Sequence, residues 1–146
     1  ERLIREARVE DGHRCLEPSA GTGAIASRIP SAAVTCVEIS PLHSRVLTAL
    51  GLTVHTADFL EWAKTAPQFD RVLLNPPFAD NRALLHLQAA ASVLAPGGRL
   101  AAILPASYRN KDLLPGIDIT WSEVINNAFE GTAVSVVIAT FDAPAF

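Results

Sequence analysis

No apolar run in this 146-residue chain approaches the eighteen or so residues that a membrane-crossing helix needs, although 49% of its residues are hydrophobic. It does not open with a charged, apolar, small-residue leader either, so no secretion signal is expected and a cytoplasmic location is the default. Cysteine is scarce. Cys15 and Cys36 are the only two, and both fall in apolar runs that read as adjacent buried strands. There a small core hydrophobe is the expected role, ahead of a disulfide or a metal ligand, and no metal site is expected. Positive charge is not in excess: 12 Lys and Arg against 15 Asp and Glu leave a formal charge of -3. A free-standing nucleic-acid binder usually shows a basic face, because phosphate neutralisation supplies most of its affinity. Any grip on nucleic acid is therefore weak, or comes from another domain or subunit. Repeats, low-complexity tracts and internal linkers are absent, so residues 1–146 are expected to form one domain.

What is present is an alternation of strand-like and helix-like segments. Strands are expected at about 13–17, 34–38, 52–56, 70–74 and 99–104, with helices near 23–29, 41–50, 59–65 and 81–94. Arg2 to Arg8 reads as a further short helix. Pro41 suits a first helical turn, and Pro96-Gly97-Gly98 should stop the last helix. Residues 105–116 leave room only for a stunted helix or a loop. In the tail, Ile117–Val124 and Ala133–Phe141 are strand-like and joined through Asn126-Asn127 and Glu130-Gly131-Thr132. Strands so close in sequence should pair antiparallel.

Function is concentrated at the expected strand ends. Asn75-Pro76-Pro77-Phe78 follows the fourth strand. Neither proline can donate to a ladder, and the residue before a proline is pushed toward extended geometry. The Asn75 side-chain oxygen and the Pro76 carbonyl could accept both hydrogens of a planar –NH2 group while Phe78 stacks on its bearer. A proline-stiffened turn is the alternative. After the first strand, Glu17-Pro18-Ser19-Ala20-Gly21-Thr22-Gly23 reads as a small-residue turn in which the backbone can approach a ligand. Its spacing is not that of a dinucleotide site, since Ala26 stands where a third glycine would be. Glu38 ends the second strand, placed to hold ribose hydroxyls or simply solvated. Asp58 follows the third strand, either at a ligand or as a helix N-cap. In an open parallel sheet all four features share the carboxyl rim, where ligands bind.

With these residues in view, the chain resembles the class I S-adenosylmethionine-dependent methyltransferases, and within them the amino-methylating group marked by [DNS]-P-P-[YFW]. The resemblance runs from about His13 to Phe141. Its Leu16–Gly23 segment is very like the cofactor loop of adenine-specific DNA methyltransferases. It implies an α/β Rossmann-like sheet of five parallel strands plus a C-terminal antiparallel hairpin, in the order 3-2-1-4-5-7-6. It also implies that Glu17, Pro18, Ser19, Ala20, Gly21 and Gly23 wrap the methionine part of S-adenosyl-L-methionine, with Glu17 near its amino group. Glu38 and Ile39 would hold the ribose side, Asp58 and Phe59 the adenine, and Asn75 would border the cofactor. Asn75, Pro76, Pro77 and Phe78 match the catalytic tetrapeptide. Two departures stand out: only about a dozen residues precede the first strand, where relatives carry a further helix or two, and no stretch is long enough for a separate target-recognition domain.

Accepting two hydrogens from an exocyclic amine would favour a pyramidal nitrogen and stabilise its developing positive charge, which requires no strong base. The resemblance favours adenine in DNA as the substrate. An RNA base or a protein glutamine amide is served by the same tetrapeptide, and an inactive cofactor-binding module of a larger assembly is the rival from another class. Arg82, Arg109 and Lys111 are expected on the same rim, bordering a nucleic-acid substrate, with scattered solubilising charge as the alternative reading.

Overall fold

The computed structural model describes residues 2–30, 33–129 and 131–145. Its strands are β1 (Cys15–Pro18), β2 (Val34–Glu38), β3 (Thr53–Thr56), β4 (Phe69–Leu74), β5 (Leu94–Pro105), β6 (Thr120–Trp121) and β7 (Val136–Asp142). Its α-helices are α1 (Arg2–Ala7), α2 (Pro41–Ala49), α3 (Phe59–Trp62) and α4 (Arg82–Ser92). The strands form one sheet in the order β3-β2-β1-β4-β5-β7-β6. The first five run parallel, and β7 pairs antiparallel with both β5 and β6. The expected fold class is the observed one.

The central strands are apolar on both faces, as a doubly covered parallel sheet requires. Leu16, Val72, Leu74, Leu100 and Val137 face the layer of α3 and α4. Their alternates Cys15, Cys36, Leu73 and Ile138 face Leu3 and Ala7 of α1 and Leu47 of α2. Burying one leucine such as Leu100, which has no exposed surface, contributes about 1.5–3 kcal/mol. Both cysteines are buried free thiols in the adjacent strands β1 and β2. α2 starts where its sequence says it should: the Ser40 hydroxyl accepts the His43 N–H and Pro41 fills the first turn.

Four boundaries differ from expectation. The helix expected over 23–29 is only a 3-10 turn, Ala26–Arg28. The Ala26 N–H, which helix propagation would give to a carbonyl, is taken by the Glu17 carboxylate, and Pro30 follows. α4 ends at Ser92, and Pro96-Gly97-Gly98 lies inside β5, not before it. Phe69 pairs with Leu94 and Arg71 with Arg99, so residues 95–98 bulge opposite Asp70, and a bulge accommodates a proline that a regular ladder would not. A Cβ on Gly98 would stand 2.9 Å from the Ala95 carbonyl oxygen and 3.1 Å from those of Phe69 and Asp70. The strand expected over 117–124 shrinks to two residues. Beyond Trp121 the Ser122 hydroxyl accepts the Ile138 N–H, a side chain standing in for a ladder carbonyl, and only the Ile125–Val136 bridge follows. Correspondingly β7 is shifted to 136–142 from the expected 133–141. Glu130, in the expected connection between these strands, lies outside the described residues.

After β5 a single 3-10 turn, Ala106–Tyr108, is the stunted helix expected there, and Leu113, Leu114 and Ile117 pack onto the core in place of a helix. Among the described residues no helix is long and apolar enough to cross a membrane.

Candidate active site

The sheet order reverses at β1 and β4: from β1 the chain builds outward to β2 and β3, from β4 to β5 and the hairpin. Their carboxyl ends flank the crevice in which open α/β sheets bind ligands. The turn leaving β1 holds Ser19 at φ 55° and Gly21 at φ 59°. Nothing lies within 4 Å of where a Cβ on Gly21 would stand, so this backbone is open to close approach.

Glu38 fastens that turn. Its Oε1 accepts the Gly21 N–H and its Oε2 the Ser40 N–H, each at 2.7 Å, the short distances of charge-assisted bonds. The side chain is nearly buried, yet each oxygen keeps another lone pair for a hydroxyl donor. Glu17 lies beneath the same turn, only 2% exposed, and accepts the Ala26 N–H at 2.9 Å. Burial pushes its carboxyl up to about 8; the Ala26 N–H opposes the rise and the nearby Glu38 charge adds to it. Pro18 and Ala20 are buried within the turn.

Asp58 is the N-cap of α3, its Oδ1 accepting the Leu60 N–H at 3.0 Å. It also lines a cavity of about 50 Å³ at the rim, together with Ser19, Ile39, Phe59, Pro77 and His86. Ile39, Asp58 and Phe59 are thus brought together around one hollow, whose lining does not include Glu38. A roomier cavity of about 690 Å³ opens at the opposite, amino-terminal ends of the strands, against Arg14, Thr35, Thr53 and Phe69, and touches none of the rim residues.

Asn75 is half-buried at the tip of β4, and no hydrogen bond to its side-chain amide or to the Pro76 carbonyl is found among the described residues. The fold leaves both acceptors unused. Phe78 packs partly on the core, and its ring meets that of Phe129 edge-on at 6.4 Å between centroids. Nearby, the Tyr108 hydroxyl donates to Asn81 Oδ1 at 3.4 Å.

The three basic residues make different contacts. Arg82 lines the small cavity beside Asp58, Arg109 Nε donates to the Ser122 carbonyl at 2.8 Å, and Lys111 is exposed beyond β5. Among the described residues no group of three or more His, Cys, Asp and Glu side chains could hold a metal ion.

No family model and no curated protein matches the chain. Solved structures do. The type I restriction enzyme EcoKI M protein superposes with a TM-score of 0.80 at 18% identity, over 96% of this chain and 41% of its own. TrmN from Thermus thermophilus gives 0.76 at 23% identity, over 97% of this chain and 47% of its own. The N-methyltransferase NodS from Bradyrhizobium japonicum WM9, in complex with S-adenosyl-L-homocysteine, gives 0.72 at 17% identity, over 98% and 84%. The chain has the Rossmann-like methyltransferase fold. It spans less than half the length of the EcoKI M protein and of TrmN.

Within this methyltransferase fold, two rim residues escaped the reading of the sequence. His86 is the inward side of an amphipathic helix, where a histidine among leucines and alanines signals nothing by itself. Phe129 sits in the irregular connection between β6 and β7, where no periodicity points to it; only the tertiary fold brings it to Phe78.

Proposed function

We propose that this chain is an S-adenosylmethionine-dependent N-methyltransferase acting on an exocyclic amino group, and that the group belongs to adenine in DNA. The carrying observation is the pair of unused acceptors, the Asn75 amide oxygen and the Pro76 carbonyl, held at the tip of β4 beside the β1 turn.

The residues present fit the cofactor. Glu38 offers two further lone pairs to ribose hydroxyls, Gly21 has an open face for the methionine portion, and the hollow by Ile39, Asp58 and Phe59 offers an apolar wall and an acceptor to a base. When bound, S-adenosylmethionine supplies an electrophilic methyl group on a sulfonium. The chain's part is placement. Asn75 and Pro76 accept the two amino hydrogens, orienting the nitrogen lone pair and stabilising the positive charge that grows on that nitrogen. Phe78 provides a face for the ring. A target base in a duplex must leave the stack to arrive there, and Phe78 is its stacking surface.

The choice among substrates rests on three supports. The Glu17–Gly23 loop resembles that of adenine-specific DNA enzymes, and the EcoKI M protein belongs to a restriction enzyme. The Phe78–Phe129 pair favours a planar ring over a glutamine amide. With a charge of -3, the domain relies on a further domain or subunit for its grip on nucleic acid.

The test is transfer of labelled methyl groups to DNA, RNA and glutamine-containing protein, followed by digestion and product identification. N6-methyladenine in DNA is expected. Label confined to RNA or to a glutamine amide replaces the substrate assignment, and cofactor binding without transfer to any of them supports the inactive-module reading.

A further inference from the structure

We propose that His86 reads the cofactor's base, as a hydrogen-bond donor on α4 that selects adenine. This rests on the S-adenosylmethionine reading above and adds to it a residue that sets the purine specificity.

His86 is buried in the second turn of α4. Its Nδ1 lies 3.3 Å from Ser19 Oγ, and its ring lies 5.6 Å from that of Phe59, tilted by 43°. An imidazole nitrogen is a better acceptor than a hydroxyl oxygen, so the favoured arrangement has the Ser19 O–H donating to Nδ1, which leaves the ring hydrogen on Nε2. No hydrogen bond to Nε2 is found among the described residues. None of their buried side-chain nitrogens or oxygens lacks a partner. Nε2 therefore keeps its access through the hollow that His86 lines with Asp58 and Phe59. Burial holds the imidazole below its usual range; the Asp58 charge opposes that and the Arg82 charge adds to it. The ring is neutral at neutral pH, and it presents one N–H, not a charge.

The hollow has room for about one or two waters, so it receives the edge of a ring and not a whole purine. The edge that matches is one with a ring-nitrogen acceptor for Nε2–H beside an amino donor for the Asp58 carboxylate. Adenine has both. Hypoxanthine carries a carbonyl in place of the amino group, which faces Asp58 with repulsion, and a hydrogen on the adjacent ring nitrogen.

Calorimetric titration of the wild type, His86→Phe and His86→Gln with S-adenosylhomocysteine and with S-inosylhomocysteine tests this. The wild type should prefer the adenosyl ligand by about tenfold or more. His86→Phe keeps a ring against Phe59 and should lose most of that preference, while His86→Gln, which retains an N–H donor, should recover part of it. An unchanged preference in His86→Phe overturns the role of His86 alone. A wild type that binds neither ligand overturns the cofactor reading and this inference with it. Should His86→Phe not fold, nitrogen-15 spectra of histidine in the wild type decide: the His86 Nε2–H resonance should shift on saturation with the adenosyl ligand, and a stationary resonance overturns the proposal.

Discussion

The carboxylate of Glu38, at the tip of β2, holds the backbone N–H of Gly21 in the turn after β1 at a distance of 2.7 Å. One side chain thus ties the β1 turn to the start of α2, through Gly21 and Ser40. Glu38→Ala should weaken S-adenosylmethionine binding by about 1–3 kcal/mol, the loss of charge-assisted hydrogen bonds, and should lower the melting temperature as the Gly21 and Ser40 donors lose their partner. Calorimetry and thermal melts check both; an unchanged affinity contradicts the assignment.

Asn75→Ala removes an acceptor that the fold itself does not use. Turnover should fall by roughly a hundredfold or more, on the scale of deleting one preorganised donor or acceptor at a reacting group, with cofactor affinity and stability little changed. Full activity in this variant would reduce the tetrapeptide to a stiff turn.

Phe78→Ala and Phe129→Ala should each weaken substrate binding by about 1–3 kcal/mol, the worth of a base–aromatic stack. Because the rings touch, the double variant should lose less than the sum of the singles. Substrate affinities of the four proteins close the cycle, and strict additivity would show that the rings act apart.

Glu17 gives the chain a pH signature. Its carboxyl is raised from 4.5 to about 8 in the folded protein, so between these values the folded chain binds more protons than the unfolded one. Stability from this group is fully present below about pH 4.5 and is lost as pH rises toward 8, by an amount on the order of a few kcal/mol. Glu17→Gln should flatten that part of the profile, seen as a shrinking difference between wild-type and variant melting temperatures as pH falls.

Arg109→Ala with Lys111→Ala should weaken nucleic-acid binding and lower its salt slope by up to about two, leaving cofactor affinity intact. Arg82→Ala should differ from that pair by weakening the cofactor as well, since Arg82 lines the hollow with Asp58. Fluorescence anisotropy across salt concentrations, beside calorimetry, separates the two effects.

The sequence shows most clearly what short-range chemistry controls. Apolar runs broken by Gly and Pro give β1 to β4 within a residue or two, and Ser40-Pro41 marks the start of α2 because capping is local. The strand-end rim is legible for the same reason: Glu38, Asp58 and Asn75 each end an apolar run. What long-range partners decide is not legible. Residues 23–29 have helical composition, but the buried Glu17 takes the Ala26 N–H and the helix stops at one turn. The length of β6 depends on a serine hydroxyl replacing a carbonyl in the ladder. The placing of Arg82 at the hollow with Asp58 depends on the path from Ala79 to Asn81, where Asp80 and Asn81 both adopt left-handed backbone, at φ 55° and 61°.

The bulge in β5 makes two adjacent glycines answer to different demands. At Gly97 the demand is handedness: its φ is 74° with open space around it, so asparagine or aspartate can take its place at modest cost. At Gly98 the demand is room, because three carbonyl oxygens of the main chain crowd the spot and none can swing aside as a side chain would. Diversifying both codons and selecting for folded protein would return a mixture at the first position and glycine alone at the second.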